Sequence, residues 1–144
     1  MALVYVDTSA LAKWYLPEKN SEKFTDWLLT QTETCISSLT ITEFRCLLAR
    51  RQRMNFLNAL QVQELYAKFQ QDIRDSHLLN YPVNDQHIIN AELLIEGLPT
   101  VALRTLDALH LTVARDIGVE ILATADAVMA EAAIKLDLEV VRFD

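Results

Sequence analysis

Short apolar runs rich in β-branched residues alternate with longer segments of helical periodicity along the chain. Strands are predicted at residues 3–6, 34–37, 78–83, 120–123 and 139–142, and helices at residues 9–16, 21–30, 40–53, 56–75, 84–96, 105–117 and 126–136. Strands that alternate with helices pair in parallel, because each crossover helix returns the chain to the same end of the sheet. The pattern therefore predicts an α/β domain with a mostly parallel sheet.

The bulk composition is that of one well-packed domain. The chain has 144 residues, of which 51% are hydrophobic, so we expect a single domain that spans residues 1–144. Its first residues, MALVYV, are too short and uncharged for a signal peptide, and no apolar run is long enough to span a membrane. Cys35 and Cys46 lack C-x-x-C spacing and are predicted to be buried free thiols, with a disulfide left open. We expect a cytoplasmic protein.

The charge distribution leaves two interpretations open for binding of nucleic acid. A net charge of −7 opposes contact with phosphates. Either the chain is a soluble acidic enzyme with a small or already neutralised substrate, or part of that charge belongs to a metal site and is cancelled when the metal binds. Arginines crowd one short segment: Arg45, Arg50, Arg51 and Arg53. This segment either faces a phosphate backbone, with Arg45 and Arg50 as candidate RNA contacts, or is a solvated helix end that favours cations.

Four acidic residues, Asp7, Glu43, Asp107 and Asp126, stand where the chain is predicted to enter helices. Their contexts, VYVDTSAL, LTITEF, TLDALHL and LATADAV, are apolar enough to be buried. Asp7 and Asp126 follow predicted strands, and the carboxyl ends of parallel strands form the crevice where ligands bind. Buried carboxylates are costly unless they are compensated, and a shared divalent cation would compensate all four. The pattern points to metal-assisted chemistry on a phosphate ester.

Each acidic residue also has a purely structural interpretation. Asp7 and Asp126 are candidate helix N-caps, Thr40 and Glu43 match a capping box, and Asp107 would favour the positive end of its helix dipole. The coincidence of all four at one predicted sheet edge favours a common site. Among the hydroxyl residues, Thr8 either bonds a metal-bound water or a phosphate oxygen or merely begins its helix, and Thr124 either orients a carboxylate or only closes a turn. For both we favour the role that supports the site. His110 is expected to be a hydrogen-bonded interior residue.

At these positions the chain resembles the PIN-domain family, and in particular its VapC-type toxins. The motifs are V-D-T-S-A-L, T-x-x-E-F, L-D-A-L-H-L and T-A-D, in this order over essentially the whole chain. The resemblance implies a three-layer α/β/α fold and an endoribonuclease that depends on Mg²⁺ or Mn²⁺. It also implies homodimers and inhibition by a small antitoxin protein. The acidic quartet would be Asp7, Glu43, Asp107 and Asp126, with Asp7 and Asp107 as direct metal ligands.

Oxygen-only ligands suit hard cations such as Mg²⁺ or Mn²⁺ better than zinc. We expect cleavage of an RNA phosphodiester, with Glu43 and Asp126 holding metal-bound waters or a second ion. An inhibitory partner is expected to insert Arg or Lys beside an apolar segment that contacts Trp14, Tyr15 and Phe44. Two alternatives stay open: a phosphatase or phosphotransfer domain that uses Asp7 as nucleophile, and a non-catalytic binding module whose acidic residues only cap helices.

Overall fold

Five parallel strands form one sheet at the centre of the molecule. The structure is a computed structural model that describes residues 2–144. The strands are β1 (Leu3–Val6), β2 (Glu33–Ser37), β3 (Leu79–Tyr81), β4 (Ile121–Thr124) and β5 (Glu139–Arg142). They lie in the order β3-β2-β1-β4-β5, and each neighbouring pair is parallel. The predicted parallel α/β sheet is confirmed.

Helices cover both faces of this sheet. The helices are α1 (Thr8–Tyr15), α2 (Ser21–Leu28), α3 (Ser38–Arg53), α4 (Ala59–Arg74), α5 (Asp85–Glu96), α6 (Thr105–Ile117) and α7 (Ala127–Lys135). On one face, Val4 and Val6 pack with residues of α1 to α4, and on the other Tyr5 packs with residues of α5 to α7. This alternation follows from the two-residue period of a strand. The three-layer sandwich is confirmed.

Some boundaries differ from the predicted ones for local reasons. The strand predicted at 78–83 shortens to β3, because Pro82 has no N–H to donate to a ladder. The helix predicted at 56–75 begins only at Ala59, where Asn58 forms a capping box with Gln61. The prediction for the cysteines was half wrong: both are free and Cys35 is buried, but Cys46 is exposed. Within residues 2–144, no helix is both long and apolar enough to cross a membrane.

The strand order reverses direction beside β1. From β1 the chain builds outward through β2 and β3 on one side, whereas β4 and β5 lie on the other side. In open parallel sheets the loops on the two sides of such a point separate, and this leaves a crevice at the carboxyl ends of the strands. Asp7 directly follows β1 and Asp126 lies two residues beyond β4. The topology alone therefore brings these two acidic residues to one edge.

Candidate active site

A cleft of about 600 Å³ opens at this edge of the sheet. All four acidic residues singled out in the sequence line it: Asp7, Glu43, Asp107 and Asp126. They are carried by separate elements, namely the turn before α1, then α3, α6 and the turn before α7. The structure therefore gathers into one cleft residues that are up to 119 positions apart in the chain.

Asp7 is the most buried of the four acidic residues, with 3% of its surface exposed. Its Oδ1 accepts hydrogen bonds from Ser9 Oγ at 2.7 Å and from the backbone N–H of Ala10 at 3.0 Å. Its Oδ2 accepts a hydrogen bond from Thr124 Oγ1 at 2.5 Å. Burial raises the pKa of Asp7, while the hydrogen bonds from Thr124 and Ser9 oppose that rise. These donors hold the carboxylate in one orientation, and through its bond to Ala10 Asp7 also caps α1.

Asp126 combines a place in the cleft with the role of N-cap of α7. Its Oδ1 accepts hydrogen bonds from the backbone N–H groups of Val128 at 2.8 Å and Met129 at 3.0 Å. Its own N–H donates to Thr124 Oγ1 at 3.0 Å. Thr124 thus connects Asp126 to Asp7, which is the kind of support expected of it from the sequence. The capping interpretation of Asp126 is correct, yet the same carboxylate also lines the cleft.

Glu43 does not form the capping box that its spacing from Thr40 suggested, so that interpretation was wrong. Helix α3 begins directly after β2, with Ser37 at its N-cap, which places Glu43 well inside the helix. Glu43 Oε1 instead accepts a hydrogen bond from Thr8 Oγ1 at 2.8 Å and contacts Nε2 of His110. Burial pushes the pKa of Glu43 up, but the hydrogen bond and charge of His110 outweigh it, and the pKa is lowered.

His110 is an interior residue, as predicted, with 2% of its surface exposed. Its Nδ1 lies 2.6 Å from the hydroxyl of Tyr5, which in turn lies 2.9 Å from Ser37 Oγ. Burial raises the pKa of Tyr5, so its hydroxyl stays protonated and remains a hydrogen-bond donor. A chain of buried polar groups therefore runs from β2 through β1 and α6 to Glu43.

Asp107 differs from the other three acidic residues because its carboxylate has no hydrogen-bond donor among the described residues. It lies in the first turn of α6, is partly buried, and makes no side-chain hydrogen bond to any residue in 2–144. Burial raises its pKa, as does the charge of Asp126, while Arg104 and His110 act in the opposite direction. A carboxylate in a cleft with a raised pKa and no hydrogen-bond donor is a candidate for binding a ligand.

The oxygen donors suit a hard cation that keeps part of its water shell. No three His, Cys, Asp or Glu side chains in the described part of the chain form a ready-made metal cage. Mg²⁺ needs no such cage, since it is usually held by one or two carboxylates and retains several waters. Asp7 and Asp107 offer carboxylates of this kind. A tetrahedral zinc site would require sulfur or nitrogen ligands, and the only imidazole in the cleft, His110, is already bonded at both nitrogens.

The arginines chosen from the sequence lie elsewhere, and the structure brings a different one to the cleft. Neither Arg45 nor Arg50 lines it, and the Arg45 guanidinium lies 5.8 Å from the ring centre of Tyr66. Arg104 lines the cleft, is exposed, and forms no ion pair within residues 2–144. The sequence held one signal for it: Arg104 precedes Asp107 by three residues, which is about one helical turn.

The apolar part of the cleft also differs from the predicted one. Tyr15 and Phe44 are buried in the core on the α1–α4 side of the sheet, so they are not available to a partner. Trp14 faces a separate pocket with Leu28 and Leu78. The apolar wall of the cleft instead consists of four aliphatic side chains: Ile95, Leu103, Leu106 and Met129. These come from α5, α6, α7 and the loop that joins α5 to α6.

Fold and cleft together define a class of protein: a parallel α/β sandwich with a carboxylate-lined crevice at the carboxyl ends of its strands. The PIN domain family model matches residues 4–135, and the chain belongs to the PIN-domain family. No curated protein has a significantly similar sequence.

Solved structures with the same fold share little sequence with the chain. One is Mycobacterium tuberculosis VapC20, a Sarcin-Ricin loop cleaving toxin, with a TM-score of 0.72, 17% identity, and coverage of 90% of this chain and 94% of that one. FitAcB from Neisseria gonorrhoeae has a TM-score of 0.72 and 19% identity, with coverage of 96% of both chains. DNA-bound VapBC from Salmonella typhimurium has a TM-score of 0.67 and 19% identity over 100% of both chains.

Proposed function

We propose that the chain is a metal-dependent endoribonuclease, and that it is the toxin of a type II toxin–antitoxin pair. The observation that carries this proposal is the gathering of four carboxylates in one cleft of a PIN domain. The similar fold of a toxin that cleaves the sarcin–ricin loop supports RNA as the substrate class.

Asp7 and Asp107 would hold Mg²⁺ or Mn²⁺, which when bound acidifies a water molecule and stabilises negative charge on the phosphate. The chain's own residues supply the orientation. Ser9 and Thr124 keep Asp7 fixed, so its carboxylate is in place before substrate binds. Glu43, whose pKa is lowered, stays ionised and accepts hydrogen bonds from water at the cleft. Asp126 offers the oxygen that its capping bonds leave unused.

Arg104 would bind the RNA backbone next to the scissile phosphate. It is the only Lys or Arg among the residues that line the cleft, which otherwise carries four carboxylates. A guanidinium matches phosphate geometry with two parallel hydrogen bonds. An exposed arginine that lacks an ion pair has no internal bond to break when it binds phosphate. We therefore assign RNA contact to Arg104 ahead of Arg45 and Arg50.

The proposal includes a protein inhibitor, a second copy of the chain and action in the cytoplasm. An acidic cleft with an aliphatic wall is complementary to a segment that carries Arg or Lys beside apolar residues. The wall is formed by Ile95, Leu103, Leu106 and Met129 rather than by the aromatic residues expected from the sequence. Similar structures include VapBC bound to DNA, which supports an antitoxin that also binds DNA, and homodimers are implied by the family resemblance.

The test is cleavage of end-labelled RNA by the wild type and by the variant Asp7→Asn. Each protein is assayed with Mg²⁺ or Mn²⁺ and again with EDTA. Asparagine keeps the oxygen acceptor that caps α1 but lacks the negative charge, so we expect the variant to fold. The rate of cleavage should fall by at least about 10³-fold, which is the loss seen when one essential charged group of an active site is removed. Asp26→Asn is the control, because Asp26 is exposed on α2, away from the cleft. Full activity in EDTA or in a folded Asp7→Asn variant would refute the mechanism.

A non-catalytic binding module is the second candidate, and one observation favours it: Asp7 and Asp126 both cap helices. Such a module would bind no divalent cation at the cleft and would release no product from RNA. Calorimetric titration with Mn²⁺ separates the two candidates. Analysis of the released ends separates an endonuclease from a phosphatase that uses Asp7, since only a phosphatase liberates inorganic phosphate.

A further inference from the structure

A chain of buried hydroxyls and one imidazole links the middle of the sheet to Glu43. Ser37, Tyr5 and His110 are almost wholly inaccessible, with exposed fractions of 0%, 0% and 2%. They come from β2, β1 and α6, and the chain ends at Oε1 of Glu43 on α3. Burying three polar side chains is costly unless every one is hydrogen-bonded, and apolar residues of the same size would fill the core more simply. None of these contacts caps a helix or extends the sheet.

The contacts restrict where the proton of His110 sits. If Tyr5 donates to Nδ1, the imidazole proton is on Nε2 and donates to Glu43. If Tyr5 donates to Ser37 instead, Nδ1 must carry a proton to donate to Tyr5, and Nε2 carries one as well to donate to the carboxylate. In both arrangements Nε2–H faces Oε1 of an ionised Glu43. A hydrogen on the carboxyl group is disfavoured, because Oε1 already accepts the hydrogen bond from Thr8 Oγ1 and the surrounding donors lower the pKa of Glu43.

Oε1 of Glu43 also accepts the hydrogen bond from Thr8 Oγ1 at 2.8 Å. Two donors therefore converge on one carboxylate oxygen, while Oε2 receives no hydrogen bond from any residue in 2–144. A glutamate side chain has three rotatable bonds and would otherwise sample several positions in the cleft. With Oε1 held on two sides, only the other oxygen remains available to the cleft.

We propose that His110 is a positioning residue: its Nε2–H holds Oε1 of Glu43 so that Oε2 faces the reacting phosphate and its waters. In this proposal the Tyr5 hydroxyl donates to Nδ1, which keeps the proton of the imidazole on Nε2. The inference rests on the proposed function, since it assigns the reason why Glu43 is held. It gives His110 a role between the core and the site, comparable to the outer partners that orient metal ligands in other enzymes.

The proton position is tested first, in metal-free protein labelled with ¹⁵N at histidine. The ¹⁵N chemical shifts of His110 distinguish a proton on Nε2 from a proton on Nδ1 alone. We expect Nε2–H in the wild type, and a shift towards a mixture of tautomers in Tyr5→Phe, which keeps the ring but removes the hydroxyl. A wild-type His110 with its proton on Nδ1 alone would overturn the proposal.

Function is tested with His110→Gln and His110→Leu. Glutamine retains an N–H donor of similar reach, whereas leucine fills the space without one. We expect His110→Leu to weaken Mn²⁺ affinity, measured by calorimetry, and to lower kcat for RNA, each by about ten-fold or more, with KM within about two-fold. We expect His110→Gln to recover most of both losses. Equal losses in the two variants, in step with their melting temperatures, would show a structural role only and refute the proposal.

His87 is a matched control for these variants. It is also a buried histidine whose Nε2 contacts a carboxylate, that of Asp116 at 2.8 Å, but it does not line the cleft. His87→Gln and His87→Leu should change the melting temperature and leave Mn²⁺ affinity and kcat unaltered. If the wild type cleaves no RNA, the proposed function fails, whereas the tautomer and the Mn²⁺ affinities still decide whether His110 positions Glu43.

Discussion

In the absence of metal, Asp107 should destabilise the protein. The side chain is partly buried beside Asp126 and Asp7, and no residue in 2–144 donates a hydrogen bond to it. The other acidic residues of the cleft all have hydrogen-bond donors, so a substitution in them removes a favourable bond. Asp107→Asn removes a like charge without removing a hydrogen bond, and it keeps the size and shape of the side chain. We therefore expect this variant to be more stable than the wild type in EDTA.

The size of the effect follows from Coulomb's law and the surroundings of the site. Two unit charges about 6 Å apart repel by about 3 kcal/mol at an effective dielectric constant of about 20. Asp107 is only partly buried, so solvent screens this interaction, and Arg104 offsets part of the remainder. A net gain of about 1 kcal/mol is the result, and for a domain of this length it corresponds to a rise in Tm of about 3 °C.

Thermal unfolding followed by circular dichroism, with EDTA and at low ionic strength, measures this difference. Asp26→Asn is the control, because it changes the net charge by the same amount on the exposed side of α2. In saturating Mn²⁺ the order should reverse, since a cation that binds only the folded wild type raises its Tm by mass action. If Asp107→Asn is less stable than the wild type in EDTA, and Mn²⁺ does not change the Tm of the wild type, the argument from repulsion between carboxylates is refuted and helix capping is favoured.

Three further outcomes are expected. Thr124→Val removes the hydrogen-bond donor to Asp7 Oδ2 without changing side-chain volume, so the free energy of unfolding measured in urea should fall by about 2 kcal/mol. An unchanged midpoint of unfolding would contradict this hydrogen bond. Arg104→Gln should weaken binding of a non-cleavable RNA in EDTA and lower the slope of log affinity against log salt by about one. Arg45→Gln and Arg50→Gln should leave the affinity and the slope unaltered. If these two variants weaken binding and Arg104→Gln does not, the RNA contact lies on α3. Burial raises the pKa of Asp7 in the folded protein above its value in the unfolded chain, so as the pH rises this carboxyl group ionises first in the unfolded chain. The stability of the metal-free protein therefore falls as the pH rises from about 4 through the raised pKa. Urea unfolding across this range should show that fall in the wild type and a smaller one in Asp7→Asn, and parallel curves would contradict the assigned pKa shift.

Local pattern was enough to predict the layers of the fold. The period of two in the strands and the helical spacing between them are set by short-range sterics and by the need to bury one face of each element, and both are visible in the sequence. The same pattern placed Asp7 and Asp126 at the carboxyl ends of β1 and β4, since the connection from strand to helix is only a few residues long. The acidic residues therefore met as expected, although their chemical roles remain predictions.

The contacts that join distant segments were decided by tertiary packing. His110 reaches Glu43 across 67 positions and Thr124 reaches Asp7 across 117, and no local rule relates such pairs. The identity of the cleft arginine was decided in the same way. Successive helical residues turn by about 100°, so Arg45 lies on the opposite side of α3 from Glu43, whereas Arg104 enters the cleft with α6. The sequence determined which elements form and which charged groups stand at their ends, because those depend on near neighbours. The tertiary structure decided which groups share the cleft, because that depends on how each helix rotates to bury its apolar face against the sheet.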